Sequence, residues 1–414
     1  MRSANPSDPD FPPRVDILIA GAGVMGAATA YWLTRRDPTL SVCLVDRDLG
    51  FARASSSLSA SSIRQQFTTP VNIALSAFGI RFLREAHDTL GLGSPQAGMH
   101  PLGLDESGYL YLATPEHEAS LRAAHAIQRA QGADIALLAP AEISARFPWL
   151  STEGITLGSL GLSGEGWFDG PAMHQALLAC ARANGARVLA GEVCAIEQEG
   201  DGQAGDGQAS ASRVTGVQLA NGERIPCGHF VNAAGPWSGA LAALAGISLP
   251  VVARRRTVFV LSSPAPLPAC PLLIDPSGFW LRPEGHFLIT GSPPIDDSND
   301  LPLDPDWREL DEAGWMRLAH RIPALEALRI ERAWAGYYEM NTFDHNAVIG
   351  PHPEVDNFWM ISGFSGHGMQ HAPGAGLALA EWILDGAPRT IDVRPLGYSR
   401  IARQEPLPEL NVIG

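Results

Sequence analysis

Paired cysteines are absent from this chain. Its five cysteines, Cys43, Cys180, Cys194, Cys227 and Cys270, are odd in number, far apart and form no C-x-x-C pair. That excludes a disulfide framework and reads as reduced thiols in a reducing compartment. Basic charge is also scarce: 29 Lys and Arg face 44 Asp and Glu, for a net charge of -15. Such a surface repels phosphate backbones and anionic membranes, so nucleic acid is not an expected partner. Long apolar runs are missing too. Ile17 to Leu33 comes nearest to a membrane span but is interrupted by Gly21, Gly23 and Gly26. Residues 1 to 14 are polar and proline-rich with no apolar h-region, which argues against a secretory signal and for a cytoplasmic protein. No internal repeat is evident.

What the chain does have is 414 residues, enough for two or three domains, and 45% hydrophobic residues, enough for a large core. Asp16 to Ala30, DILIAGAGVMGAATA, organises the rest. An apolar strand meets Gly21, Gly23 and Gly26 in G-x-G-x-x-G spacing and a helical pattern follows. Gly21 suits a tight turn, Gly23 lets a pyrophosphate approach the backbone, and Gly26 lets the helix lie close on the strand. A second apolar run, Ser41 to Val45, ends in Asp46, an acid suited to a ribose hydroxyl pair. The spacing predicts a dinucleotide and leaves NAD and FAD open.

Farther along, the Ser-rich loop Ala54 to Ser62 runs into Ile63 and Arg64, then into a helix expected over 71–90. Strands are expected at 109–112, 187–189, 193–198, 214–219, 257–261, 278–282 and 287–291, the last three in an antiparallel sheet. Helices are expected at 115–131, 140–150 and 172–184. Residues 200–212 read as a low-complexity hairpin tip that is mobile and dispensable. The run HFVNAAGPW ends a strand in small residues that permit close approach of a ligand or a helix. Near the C-terminus, Phe358 to Ile361, the glycine-rich SGFSGHGMQHAPGAG and a helical run from Leu377 repeat the order strand, turn, helix.

Together, GAGVMG with Asp46 and Arg47, the Ser-rich loop into Arg64, WFDGPAMHQALLACARANGARV, VNAAGPW, AGYYEMNTFDHNAVIGPHP and ISGFSGHGMQHAPGAG resemble the FAD-dependent oxidoreductases of the D-amino acid oxidase and sarcosine oxidase superfamily. Within it, the C-terminal motifs are most similar to the sarcosine and dimethylglycine dehydrogenases and to a mitochondrial flavoprotein group that assists assembly of respiratory complex I. The resemblance implies an α/β fold: a discontinuous Rossmann-like FAD-binding domain (15–90, 169–240, 336–395) and an α+β substrate domain with an antiparallel sheet over the flavin face (91–168, 241–335), flanked by tails (1–14, 396–414).

By the same resemblance Gly21, Gly23, Val24, Met25, Gly26, Asp46 and Arg47 hold the ADP end of FAD. Ser57, Ser61, Ile63 and Arg64 lie along the ribityl chain or ring, and Val193, Ala233, Gly235 and Trp237 surround adenine and diphosphate. Gly336 and the turn Gly366, His367, Gly368, Met369 and Gln370 belong to the flavin end. No metal is implied. Family members that bind flavin covalently use a cysteine where Gly336 stands or a histidine in the Ser-rich loop, which has none, so FAD is expected to be noncovalent. The lysine that helps sarcosine oxidases activate oxygen is replaced by Ile289, and the one after H-G-F by Gln370. Loss of a fixed cation beside the flavin favours a dehydrogenase over an oxidase.

The implied chemistry is oxidation of the C–N bond of a secondary or N-alkyl amino acid, with an electron acceptor, protein or quinone, as partner. A D-amino acid dehydrogenase or oxidase, and a flavin-bound assembly factor without turnover, are the alternatives. A substrate carboxylate calls for a buried arginine fork, for which Arg64, Arg282 and the run Arg254 to Arg256 are candidates. His367 suits a base or a neutral donor to the flavin, Tyr337 and Tyr338 the pocket wall, and Asp344 a turn.

Overall fold

The computed structural model describes residues 13–93, 100–200 and 212–410, and within 312–313 the backbone only. Most of the expected hairpin tip lies outside them, as do residues 1–12 of the expected N-terminal tail. The chain packs as two compact units, Met1–Ser57 with Pro171–Ala253 and Glu339–Pro408, and Leu58–Gly170 with Arg254–Tyr338 and Glu409–Gly414.

The first unit is built on an eight-stranded sheet. Its centre is β1 (Val15–Ala20), parallel on one side to β2 (Val42–Asp46) and on the other to Arg224–Asn232. Parallel pairing extends outward to Arg187–Ala190 beyond β2 and to Phe358–Ser362 beyond Arg224–Asn232, and Val348–Pro351 closes that edge antiparallel. Leu18, Cys43, Phe230 and Phe358 are fully buried, as a parallel sheet covered on both faces requires. The chain leaves β1 for neighbours on both sides, so the carboxyl end of β1 is a topological switch point, where open α/β sheets bind ligands.

Two helices pack against each other in this unit, α1 (Val24–Arg36) and α2 (Gly368–Asp385). The contact explains one difference from the sequence reading, which left 362–376 as a turn. The helix already begins at Gly368, and its glycines are spacers: a Cβ on Gly376 would lie 2.8 Å from the backbone of Ala28. Pro373 sits inside the helix, and the Trp32 indole donates to its carbonyl oxygen at 2.8 Å.

The second unit carries the other eight-stranded sheet, with its strands in the order Arg329–Asn341, Val251–Ser262, Phe287–Gly291, Trp280–Glu284, Leu272–Ile274, Tyr109–Ala113, Leu157–Gly161 and Ile135–Leu138. We label five of these: β3 (Tyr109–Ala113), β4 (Val251–Ser262), β5 (Trp280–Glu284), β6 (Phe287–Gly291) and β7 (Arg329–Asn341). From β4 through to Ile135–Leu138 the pairing is antiparallel except between Leu272–Ile274 and β3. Alternation sorts the side chains onto two faces. Leu110, Phe259, Leu281 and Leu288 enter one core, while Tyr109, Tyr111, Val258, Val260, Trp280 and Ile289 form a separate aromatic cluster.

Four further differences have physical causes. The helix expected over 71–90 is two, Pro70–Arg84 and Ala86–Leu90, the second ending at Gly91 in the left-handed region. The Ser-rich loop contains a short helix, Ser55–Leu58, and the two-residue strand Ser62–Ile63, which pairs with Gly166–Trp167. Residues 58–90, assigned above to the FAD-binding stretch, pack with the second unit. The stretch 396–410, read as a tail, is tied down: Arg400 is buried against Asp344, and the buried Glu409 carboxylate accepts from Thr68 and from the side chain of Asn72.

Candidate functional site

In the first unit the loop after β1 is held rigidly from three directions. Gly21 donates to the Val45 carbonyl at 2.8 Å, and Ala22 donates to Asp46 Oδ2 at 2.8 Å. The buried imidazole of His174 donates through Nε2 to the Ala22 carbonyl at 2.8 Å and stacks edge-on against Phe51. Burial lowers the pKa of His174, which keeps it neutral in this donor role. Two glycines have no room for a side chain. A Cβ on Gly26 would fall 1.9 Å from the Gly21 carbonyl oxygen, and one on Gly21, at φ +105°, would fall 2.2 Å from that of Ala233. Gly23 is different: a Cβ there would meet only Ser56 Oγ, at 3.4 Å. It is also the N-cap of α1, whose first turn carries no acidic side chain. The helix thus offers its N-terminus without an acid in its own first turn, while Asp46 reaches the preceding loop at Ala22.

Around this loop stand other residues read from the sequence. The Arg47 guanidinium lies 3.7 Å from the centre of the Trp237 ring, a cation–π contact at the unit surface. Ala233 is buried, Gly235 is in the left-handed region at φ +56°, and Val193 is half-buried at the start of its strand. Val24 and Met25 are buried in the first turn of α1, and Ser57 lies in the short helix whose neighbouring Ser56 accepts from the Val24 N–H at 2.9 Å.

At the entrance of α2, Gly366 is exposed at φ +93°, while His367, Met369 and Gln370 are buried. The His367 ring packs 5.0 Å from that of His371. Glu339 projects into this corner and accepts from the Gly363 N–H at 3.1 Å; removal from water pushes its carboxyl up to about 7. A Cβ on Gly368 would lie 3.2 Å from its Oε1, and one on Gly235 3.9 Å from its Oε2. The Glu339 carboxylate thus lies beside both Gly235 and Gly368.

In the second unit Arg64, Arg256 and Arg282 are each buried beside an aromatic ring. Arg282 on β5 lies 5.3 Å from the Trp167 ring centre, but its terminal nitrogens donate to the carbonyls of Pro283 and Ala60, and it pairs with Glu284. Arg64 is buried 4.0 Å from the Phe67 ring centre and donates to the Gln66 carbonyl. Ser61, at φ +50°, and Ile63 are buried on either side of Ser62, whose hydroxyl accepts from Tyr109. Glu165 is buried nearby, accepting from the Gln65 N–H at 2.6 Å and from Gln66 Nε2 at 2.8 Å; burial raises its carboxyl to about 7. Gly336 on β7 faces Leu58, and Tyr337 donates to the Leu301 carbonyl at 2.6 Å.

Sequence reasoning did not single out Ser56, His174 or Glu165, and it read Glu339 as part of a turn, whereas Glu339 lies within the strand Arg329–Asn341. His174 lay within a quoted motif, but only the fold shows that its ring reaches Ala22. The chain also contains no lysine; all 29 basic residues are arginine. Among the described residues no group of three or more His, Cys, Asp or Glu could hold a metal ion, and no helix is long and apolar enough to cross a membrane.

A family model described as FAD dependent oxidoreductase (DAO) matches residues 16–382. The FAD-dependent oxidoreductase domain-containing protein 1 of Xenopus laevis is 38% identical over 98% of this chain and 86% of its own length. Human mitochondrial sarcosine dehydrogenase is 26% identical over 92% of this chain and 41% of its own length. Among solved structures, the L-proline dehydrogenase of P. horikoshii matches 96% of this chain and all 100% of its own with a TM-score of 0.82 at 24% identity.

Proposed function

This chain belongs to the DAO family of FAD-dependent oxidoreductases, and from that premise we propose that it oxidises the C–N bond of a secondary or N-alkyl amino acid, working as a dehydrogenase. The loop after β1 fits an ADP-bearing cofactor. Gly21 and Gly26 are filled by backbone, Gly23 alone is open, and the N-terminus of α1 lacks an acid of its own. In this reading the α1 N-terminus takes the diphosphate, Asp46 the ribose hydroxyls, and Gly235 with the entrance of α2 the remainder. Bound FAD supplies a two-electron acceptor for the hydride equivalent on the carbon that bears the nitrogen.

The observation that carries the amino acid reading is that the second unit buries three guanidinium groups beside aromatic rings, Arg64 by Tyr111, Arg256 by Tyr338 and Arg282 by Trp167. Guanidinium groups bind a carboxylate, and aromatic faces suit an alkylated ammonium while excluding water. Absence of lysine supports a dehydrogenase, since no ammonium can be placed beside the flavin to assist oxygen reduction. Turnover of N-methylglycine, N,N-dimethylglycine and proline with an artificial electron acceptor, measured against oxygen uptake, tests this reading. Dye reduction should exceed oxygen uptake for at least one amine, and the reverse ratio would make the protein an oxidase.

Two properties of the cofactor follow. Gly336 offers no side chain and residues 54–62 contain neither cysteine nor histidine, so acid precipitation should release all the yellow colour; colour retained in the pellet would contradict noncovalent binding. Asp46→Ala removes the acceptor that serves Ala22 and Asp48, and should weaken FAD retention about tenfold or more, read by ultrafiltration. Unchanged retention would mean that Asp46 does not serve the ribose.

A further inference from the structure

The last residues of β7, from Glu339 onward, pack with the first unit and are stitched to the glycine-rich turn that opens α2. Ser365 donates from its N–H to the Glu339 carbonyl at 3.1 Å, Met340 pairs with Phe364, and the Asn341 N–H donates to Ser365 Oγ at 3.0 Å. These bonds fix the backbone from which the Glu339 side chain projects. Its Oε2 accepts from the Gly363 N–H at 3.1 Å, while its Oε1 would stand 3.2 Å from a Cβ on Gly368, the first residue of α2. Met25, in the first turn of α1, reaches the same spot, its Cε 3.1 Å from that Cβ. Neither helix has an acid in its first turn. Glu339 thus brings a carboxyl group to the place where both helix entrances and Gly235 meet.

Glu165 and Glu339 are both pushed up to about 7, in different surroundings. Glu165 is fully buried, with a donor on each oxygen and Arg64 near enough to favour its charge. Glu339 is half-buried. Removal from water raises its carboxyl, the N–H groups of Gly363 and Phe364 act against that rise, and among the described residues no charged side chain does. The titratable groups on α2 beside it are His367 and His371. The turn 362–366 carries none, the first turn of α1 carries none, and after Gly235 the nearest charge is Arg47, stacked on Trp237.

We propose that Glu339 is a cofactor-positioning residue that meets FAD only in its neutral, hydrogen-bond-donating form, so that FAD binding takes up one proton at Glu339. The proposal rests on the placement of FAD given above and adds a condition to it. FAD carries an anionic diphosphate, and its ribityl hydroxyls and ring carbonyls offer acceptors. An ionised carboxylate closed in with such a ligand is repelled and loses its remaining water, whereas a carboxylic acid donates a hydrogen bond to it. Without FAD, the two helix N-termini are free to favour the ionised form. A group that titrates near about 7 in the free chain and higher beside FAD is neutral in both states at low pH; above that range it must first take up a proton, so affinity for FAD falls as pH rises.

The test dilutes the FAD-loaded full chain and reads released FAD by its fluorescence, between about pH 6 and about pH 8. The wild type should hold FAD about tenfold more weakly at the upper limit than at the lower. Glu339→Gln, which donates and accepts as the neutral acid does, should match the wild type at the lower limit and show no such fall. Glu339→Ala should bind about fivefold or more weakly than Glu339→Gln throughout, and equal affinity of the two would overturn the hydrogen bond. A flat wild-type profile, or a fall that survives in Glu339→Gln, overturns the proposal and leaves the placement of FAD intact. If Glu339→Gln does not fold, His367→Gln and His371→Gln decide: the fall persists in both if Glu339 takes the proton, and its loss in either assigns the proton to that histidine and overturns the proposal. The placement of FAD itself fails by a different result, a Gly26→Ala protein that retains it.

Discussion

Gly26→Ala protein should accumulate insoluble or, where soluble, without FAD. The added methyl would sit 1.9 Å from the Gly21 carbonyl oxygen and 3.3 Å from the Ile19 side chain, so helix α1 would have to lift off the strand. Neighbouring Gly21 cannot yield, because its own Cα approaches the Ala233 carbonyl too closely to accept a Cβ. Overpacking of this kind costs about 1–3 kcal/mol where neighbours can shift, and more where, as here, they are backbone. Against a total stability of about 5–15 kcal/mol, that cost also displaces the helix N-terminus on which the cofactor reading depends. Soluble yield and the ratio of FAD to protein measure the effect. A Gly26→Ala protein that retains one FAD per chain would show that the loop after β1 is not the holding element. Gly23→Ala separates packing from binding. Its methyl has space, with Ser56 Oγ at 3.4 Å, so the protein should fold but hold FAD less tightly.

The second large effect lies far from that loop. Arg400→Ala should destabilise the protein by about 3–5 kcal/mol, the usual cost of leaving one buried charge without its partner. Arg400 is 5% exposed and donates to both oxygens of Asp344, at 2.7 and 3.0 Å, and to the carbonyls of Leu396, Asn346 and Ala347. Removing it leaves the fully buried Asp344 side chain with the Asn341 amide and the Asn346 and Leu407 N–H groups as donors. Lysine cannot reproduce the six contacts made by one planar fork, the sixth being to the Gly397 carbonyl, so Arg400→Lys should recover only a small part of the loss. Urea unfolding of the FAD-loaded protein gives the value. A loss below about 1 kcal/mol would place the pair among ion pairs that contribute little.

How far the sequence could be read follows from the range of the interactions involved. The strand, turn and helix around Gly21, Gly23 and Gly26 were legible because the signal is local: spacing, small residues and an acid after the next strand. The sheet of the second unit was legible in part. Alternation marked β3, β4, β5 and β6, whereas Leu157–Gly161 and Ile135–Leu138 were missed, the former because LGSLG reads as a loop until Gly158 is seen packed under Ile143. The glycine-rich entrance to α2 was misjudged for a similar reason. Gly374 and Gly376 weaken a helix in isolation, but close contact with Ala28 of α1 overrides propensity.

Partnerships across long separations were not legible at all. Asp344 read as a turn residue because its nearby partners, Asn341 and Asn346, are local; the arginine that fixes it comes 56 residues later. Likewise, the run Arg254 to Arg256 was one candidate among three for a carboxylate. Which carboxylate each member meets, Asp297 for Arg254 and Arg256 and Asp306 for Arg255, depends on where the connecting segment folds back, which sequence does not carry.

The central claim, oxidation of an amino acid C–N bond by a bound FAD, is tested most directly by anaerobic titration of the purified holoprotein with the amine panel. Absorbance of the oxidised flavin near about 450 nm should bleach with at least one N-alkyl or cyclic amino acid, and more readily than with its carboxamide. Unchanged absorbance with every amine, in protein that dithionite still reduces, would contradict the account and leave a flavoprotein that binds FAD without turning over an amine.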